Sequence, residues 1–311
     1  MNKEPLVTIL IPVYNGSNYV ADAIESALAQ TYKNLEILVV NDGSCDDDAT
    51  EKIVLSYGEK VRYLKKKNGG VSSALNLGIK NMRGDYMSWL SHDDVYLPDK
   101  IEKQIRKVTG NNDIILCSGS LMDADRNPIA YRIKKLNGKY NGVELFREFL
   151  QGYILNGLGF FIPKSVFEKC GLFDESMRYL QDLDLWMRMM IQDYNFICMP
   201  DQLVISRIHG KQVTNTAKPL FYKDQVAIAK KHIELLKCIS KDRQTSFCEL
   251  YYCLFAKDNN TEGINLIKCF MRDNGITVKN LFMKLIPYYV KGALIRIRRK
   301  VIQSLFSKIE R

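Results

Sequence analysis

Val7-Thr8-Ile9-Leu10-Ile11-Pro12-Val13 and Leu35-Glu36-Ile37-Leu38-Val39-Val40-Asn41 are the two stretches that decide the fold class. Both are dense in β-branched and other apolar side chains, the composition of strands covered on both faces of a sheet. Residues 20–30 between them read as an amphipathic helix, so the three segments form a strand, a helix and a second parallel strand. Working outward, the alternation continues with strands at 61–65, 85–90 and 113–118. The intervening helices fall at 48–57, 71–81 and 98–108, the last opened by Pro98 in its first turn. This pattern predicts an α/β fold, Rossmann-like, with a mostly parallel sheet flanked by helices. Past residue 120 the alternation lapses: 123–128 reads as a turn, 142–150 as a short helix and 182–190 as another. From Pro219 onward the pattern is helical, broken by polar turns such as Lys257-Asp258-Asn259-Asn260. A boundary near 215 therefore separates a sheet domain, 1–215, from a helical C-terminal extension, 216–311.

Charge and composition narrow the function. The chain carries a formal net charge of +10, which favours an anionic partner: nucleic acid, a phosphorylated ligand or an anionic membrane face. Eight of those ten charges lie beyond residue 278, where Lys and Arg number nine against the single acid Glu310. The nearly neutral remainder disfavours a nucleic-acid groove across the main body, and no nucleic-acid partner is expected. The eight Cys are scattered, with neither a C-x-x-C pair nor Cys and His at zinc spacing, so buried thiols in a reducing compartment are expected. Met1 to Pro5 leads straight into a strand, and no apolar run reaches the roughly 18 residues of a spanning helix. The expected location is cytoplasmic, with peripheral attachment to the cytoplasmic membrane face.

In open α/β sheets ligands bind beyond the carboxyl ends of the strands, which directs attention to the segments that follow each one. They are Pro12-Val13-Tyr14-Asn15-Gly16, Asn41-Asp42-Gly43-Ser44, Lys66-Lys67-Asn68-Gly69-Gly70 and Ser91-His92-Asp93-Asp94. Carboxylates gather there. Asp93-Asp94 has the hard oxygen donors that Mg²⁺ or Mn²⁺ prefers, although the same pair also suits a solvated turn or a helix cap. Asp42-Gly43 is a common tight-turn pair too, yet it lies between a buried-type strand and a helix, at a mouth rather than in a hairpin. Neither G-x-G-x-x-G nor G-x-x-x-x-G-K-[ST] follows any strand, which argues against a dinucleotide site and a P-loop.

Taken in order, Thr8 to Asn15, Gln30-Thr31-Tyr32, Val39 to Ser44, Asn68-Gly69-Gly70-Val71-Ser72 to Asn76, Gly84-Asp85-Tyr86 and Ser91 to Asp94 resemble successive blocks of the family-2 glycosyltransferases, which have the GT-A fold. Gly171-Leu172-Phe173-Asp174-Glu175, Gln181 to Trp186 and Arg207-Ile208-His209 continue the series, so the resemblance spans about the first 215 residues. It implies a metal-dependent, inverting transfer of a sugar from a nucleotide-diphosphate donor, most simply a UDP-hexose or UDP-N-acetylhexosamine. The acceptor would be a hydroxyl of a glycan or lipid-linked molecule in surface polysaccharide biosynthesis. By the same resemblance Pro12, Tyr14, Asn15 and Asp42 would surround the base and ribose, with Lys67 and Asn76 near the ribose or phosphates. Asp94 would ligate Mn²⁺ or Mg²⁺, Asp93 would face the ribose or a metal-bound water, His209 would approach the metal or diphosphate, and Arg207 would neutralise phosphate charge. Asp182 would be the catalytic base, with Asp184 next in line. Two residues apart on a helix, these acids point about 200° apart and cannot share one task.

Three positions depart from the family pattern: Gln181 stands where Glu is usual, Leu75 where a cation is common, and His92 where relatives often carry Asp. Gln181 keeps open a non-catalytic scaffold that binds sugar nucleotides. A nucleotidyltransferase would need a phosphate-gripping glycine loop early in the chain, and Asn15-Gly16-Ser17 is a poor one. A basic nucleic-acid-binding protein would leave the ordered acidic blocks without purpose. The tail from 279 to 311 interleaves apolar and basic residues and reads as amphipathic helix suited to an anionic membrane surface, or else packed on the domain with a solvated basic face.

Overall fold

The computed structural model describes residues 4–110, 112–177, 179–210 and 218–277. The basic tail, 279–311, lies outside the described residues, as does most of the segment around 215. In chain order the elements begin with β1 (Val7–Val13), α1 (Val20–Leu28), β2 (Leu35–Asn41), α2 (Ala49–Leu55) and β3 (Arg62–Lys65). Next are α3 (Val71–Asn81), β4 (Tyr86–Trp89), β5 (Val95–Tyr96), α4 (Lys100–Ile105), β6 (Asp113–Met122), β7 (Pro128–Ile129) and β8 (Gly138–Tyr140). Then follow α5 (Gly142–Leu150), β9 (Phe160–Pro163), α6 (Lys164–Cys170), α7 (Gln181–Ile191) and β10 (Asn195–Arg207). Three helices close the described chain: α8 (Lys218–Leu236), α9 (Lys241–Lys257) and α10 (Thr261–Asp273).

One sheet has the order β3-β2-β1-β4-β9-β6-β10-β5, with β7 and β8 paired to β6 and β10. The pairs β1–β2, β1–β4, β2–β3 and β6–β10 are parallel, as the strand-helix alternation requires. Between these parallel sets β9 inserts beside β4 and β6 and runs against both, and β5, β7 and β8 are antiparallel to their neighbours as well. The sheet is therefore mixed. Pro98 precedes α4 rather than lying in it, and Asp99 takes the residue before the first turn.

Because β6 and β10 run the same way as β1, β2 and β4, the carboxyl ends Val13, Asn41, Trp89, Met122 and Arg207 line one edge. Every candidate strand-end loop opens there. Two apolar layers hold the sheet. One face buries Ile9, Ile11, Val39 and Phe161 beneath α1 and α4. The other buries Leu10, Leu38, Trp89 and Phe160 beneath α3, α5 and α7. Helices α8 to α10 join this second layer through Val226, Ile228, Phe247, Tyr251 and Phe270, so the helical extension shares the core of the sheet domain.

Candidate active site

The loops after β1 and β2 are laced together. Asn15, in the left-handed region at φ 48°, accepts from the Cys45 N–H at 2.8 Å and donates its own N–H to Ser44 Oγ at 2.9 Å. Tyr14 stands exposed beside them, its hydroxyl 3.5 Å from Cys45 Sγ. Pro12 is buried in β1 opposite Val40, so it shapes the mouth from beneath. Asp42 is also buried, and both its oxygens are engaged: Lys66 Nζ at 2.6 Å, Gly69 N–H at 3.0 Å and Gly70 N–H at 2.7 Å. A side chain at Gly43, φ 72°, would meet Asn68 N at 2.6 Å, so only glycine lets this loop close over Asp42.

Three residues expected at the donor are bonded within the protein. Asp42 pins the Gly69-Gly70 loop, and its cation is Lys66, while Lys67 is exposed. Asn76 is buried and committed to the loop before α7: its amide nitrogen donates to Phe173 O at 2.9 Å and Glu175 Oε1 at 2.8 Å, and its oxygen accepts from Phe173 N at 3.0 Å. Arg207 is 1% exposed, and its guanidinium donates to Asp93 O, Ala124 O and Asp22 Oδ2 at 2.7–2.9 Å. Its guanidinium carbon also stacks over Tyr19, 4.4 Å from the ring centroid. With its charge met by Asp22, Arg207 clamps β10 to the acidic turn rather than offering a free cation to phosphate.

That turn is the most polar point of the mouth. The Arg207 N–H donates to Asp94 Oδ1 at 2.7 Å, and His209 Nε2 lies 3.0 Å from Asp93 Oδ2. Burial, then the neighbouring Asp93 charge, pushes the Asp94 carboxyl up to about 8. Burial also lowers His92. Among the described residues no three His, Cys, Asp or Glu form a ready metal cage. Two adjacent carboxylates, one of them buried against its neighbour's charge, nevertheless fit a hard divalent ion that takes its remaining ligands from substrate oxygens and water.

The second acidic pair lies in the first turn of α7. That helix begins after Leu180, at φ 54°, without a side-chain cap. Asp182 is partly buried; Leu183 N–H donates to its Oδ1 at 2.7 Å, and desolvation raises its carboxyl above the ordinary range. Gln181 Oε1 beside it is buried without a partner. Asp184 faces the other way and is fully buried. It accepts from Arg188 Nε at 2.9 Å and Nη2 at 2.8 Å, Lys231 Nζ at 3.2 Å and His232 Nε2 at 3.0 Å. Those partners hold it well below the usual carboxylate range against the cost of burial. Of the two acids, Asp184 is the structural one. The helix reaches the mouth through Phe173, whose ring lies edge-on to both Trp89 and Trp186.

Sequence reasoning missed Lys66, Tyr19, Asp22, Lys231 and His232. Only the Asp184–Arg188 pair, four apart on a helix, carried a local signal.

The model of the family described as Glycosyl transferase family 2 matches residues 8–171. An uncharacterized glycosyltransferase of Rickettsia prowazekii (strain Madrid E) is 49% identical over 220 residues, taking in 69% of this chain and 67% of that protein. A hyaluronan synthase of Pasteurella multocida is 42% identical over 104 residues, 33% of this chain and 11% of that one. Among solved structures, S. aureus TarS 1–349 in complex with UDP-GlcNAc superposes with a TM-score of 0.62 at 14% identity, covering 88% of this chain and 93% of that one. The strand-end blocks, the mixed α/β sheet and these matches agree, and the chain belongs to glycosyl transferase family 2, with the GT-A fold.

Proposed function

We propose that this glycosyltransferase moves a sugar from a nucleoside-diphosphate donor, a UDP-hexose or UDP-N-acetylhexosamine, to a hydroxyl of a glycan or lipid-linked acceptor in surface polysaccharide assembly. The observation that carries the reading is the Asp93-Asp94 turn at the sheet mouth, with Asp94 buried beside the half-buried Asp93 and its carboxyl raised by burial first and by that neighbour's charge second. Asp94, with Asp93 and His209 adjacent, would hold Mn²⁺ or Mg²⁺. Such an ion supplies charge to the diphosphate leaving group as the glycosidic bond breaks. Tyr14 and Asn15 offer surface to the nucleotide, and exposed Lys67 can meet its phosphates from the rim. The UDP-GlcNAc complex of TarS favours a UDP-linked N-acetylhexosamine among donors.

Asp182 would act as general base, taking the proton of the acceptor hydroxyl as that oxygen attacks the anomeric carbon in one inverting displacement. A carboxyl raised by desolvation is a better proton acceptor than an ordinary one. The acceptor side is assigned to the cavity between 118–121, 131–134 and 153–156, where Tyr131 and Ile154 are exposed and the buried Ser118 hydroxyl has no partner. Asn156 in its wall reaches Ser206 at 3.4 Å, and the next residue is the Arg207 that bonds Asp94. No described helix is long and apolar enough to cross a membrane, and membrane attachment through 279–311 is part of this proposal.

The test is UDP release from a panel of UDP-sugars with Mn²⁺, Mg²⁺ or EDTA. Metal-dependent release is expected from one donor, abolished in Asp94→Ala. Asp182→Asn is expected to lower turnover about 10²–10⁴-fold with donor affinity retained. Donor binding without release by any protein would favour the scaffold reading; no binding at all would sink both.

A further inference from the structure

The family model stops at residue 171, and the helices after 217 share the core of the sheet domain. Two adjacent side chains of α8 do more than pack. Lys231 Nζ bridges Asp184, at 3.2 Å, to Asp174, at 2.9 Å. His232 is fully buried between Asp184 Oδ1, 3.0 Å from its Nε2, and the Tyr251 hydroxyl of α9, 2.5 Å from its Nδ1. Burial keeps the imidazole neutral, so the Tyr251 O–H donates to Nδ1 and the Nε2–H donates to Asp184.

These bonds end on a helix that lacks local means of fixing its own start. No side chain caps α7. The loop before it is held by Arg188 in the second half of α7, which donates to the carbonyls of Cys170 and Leu172, and from α3 by Asn76, which grips Phe173 and Glu175. Fixing Asp184 therefore fixes the rotation of the first turn. Because residues two apart on a helix diverge by about 200°, it also fixes the aim of Asp182. We infer that His232 and Lys231 are positioning residues: the helical extension sets the orientation of α7 and, through it, of the acid proposed as base. This inference rests on the assignment of Asp182 under the proposed function. A base displaced by a fraction of an ångström loses rate before it loses donor affinity, which separates positioning from mere stabilisation.

The experiment compares wild type, Asp182→Asn, His232→Leu, His232→Gln and Lys231→Met in the full chain, with UDP-GlcNAc and the other UDP-sugars as probes. Folding is checked by circular dichroism. His232→Leu should lower kcat at least about tenfold with the donor KM within about twofold, and Lys231→Met should do so more weakly. His232→Gln, which keeps an N–H toward Asp184, should recover most of the loss. A folded His232→Leu with wild-type kcat overturns the inference, as does a glutamine variant no better than leucine. If His232→Leu does not fold, Tyr251→Phe keeps the imidazole and removes only its anchor; a several-fold fall in kcat supports positioning, and no change overturns it. Asp182→Asn decides separately: turnover at the wild-type rate would remove the base assignment, whereas its loss alongside a normal His232→Leu would remove positioning alone.

Discussion

Asp93-Asp94 and Asp182/Asp184 are two acidic pairs in one molecule, and burial has opposite consequences for them. At the turn after β4 Asp94 is buried beside another carboxylate, and although the Arg207 N–H, the Arg207 charge and the Ser91 side chain oppose the shift, its carboxyl rises to about 8. In α7 Asp184 is buried more completely, yet Arg188, Lys231 and His232 surround it and its carboxyl falls. Burial with counter-charge makes structure. Burial with little of it makes a place for a cation or a proton, and Asp182, raised by desolvation although it receives the Leu183 N–H, belongs with Asp94 in this respect.

The sharpest way to break the contrast is to neutralise the two buried acids in turn. Asp184→Asn leaves Arg188 and its neighbours facing an uncharged amide in a dry interior. Removing one partner of a buried ion pair costs about 3–5 kcal/mol, and a loss of that size is expected in urea unfolding. Asp94→Asn should behave oppositely. The amide oxygen can still accept from the Arg207 N–H, and the like-charge conflict with Asp93 disappears. In EDTA the variant should match or exceed wild type, by on the order of 1 kcal/mol. Mn²⁺ should stabilise the wild type against urea and leave the variant unmoved. An Asp94→Asn variant as damaged as Asp184→Asn would mean that both pairs are structural.

Why one pair was legible and the other only half so follows from where the partners lie. The Asp93-Asp94 turn sits directly after a strand, so the alternation of strand and helix located it. Asp182 and Asp184 were separable by helical geometry, but that Asp184 is the one committed to ion pairs depended on Lys231 and His232, some 47 and 48 residues downstream. The same distance hid the work of Arg207, whose partner Asp22 lies 185 residues away, and of Asn76, tied to Phe173 across 97. Lys66 and Lys67 are adjacent, and only the closed loop shows which one meets Asp42. In the sheet, the first parallel strands were readable because Val7–Val13 and Leu35–Asn41 are dense in apolar and β-branched residues. The later strands were not: β9 has four residues, and β10 is interrupted around Pro200-Asp201-Gln202, where its parallel register to β6 shifts.

The smallest expected effect sharpens the comparison through pH. His232 sits among Asp184, Arg188, Lys231 and Tyr251, and desolvation lowers its imidazole while Asp184 opposes that shift. A folded pKa below the unfolded value of about 6.5 means that the unfolded chain binds the proton first as pH falls. His232 therefore costs no stability above that value and an increasing amount below it. One proton contributes at most about 1.4 kcal/mol per pH unit, and the opposing pull of Asp184 leaves a fraction of that. The depressed Asp184 carboxyl acts in a lower window: its contribution is present above about pH 4 and is lost as pH drops beneath that. Asp94, raised to about 8, stabilises both proteins as pH falls through this range, so His232 is read from the difference: between pH 7.5 and 5 the urea midpoint of wild type should lose ground to that of His232→Gln. A wild type that instead gains on His232→Gln toward pH 5 would show the imidazolium to be the stable buried form, and Asp184 would then be one half of a charged pair with His232 rather than the acceptor of a neutral ring.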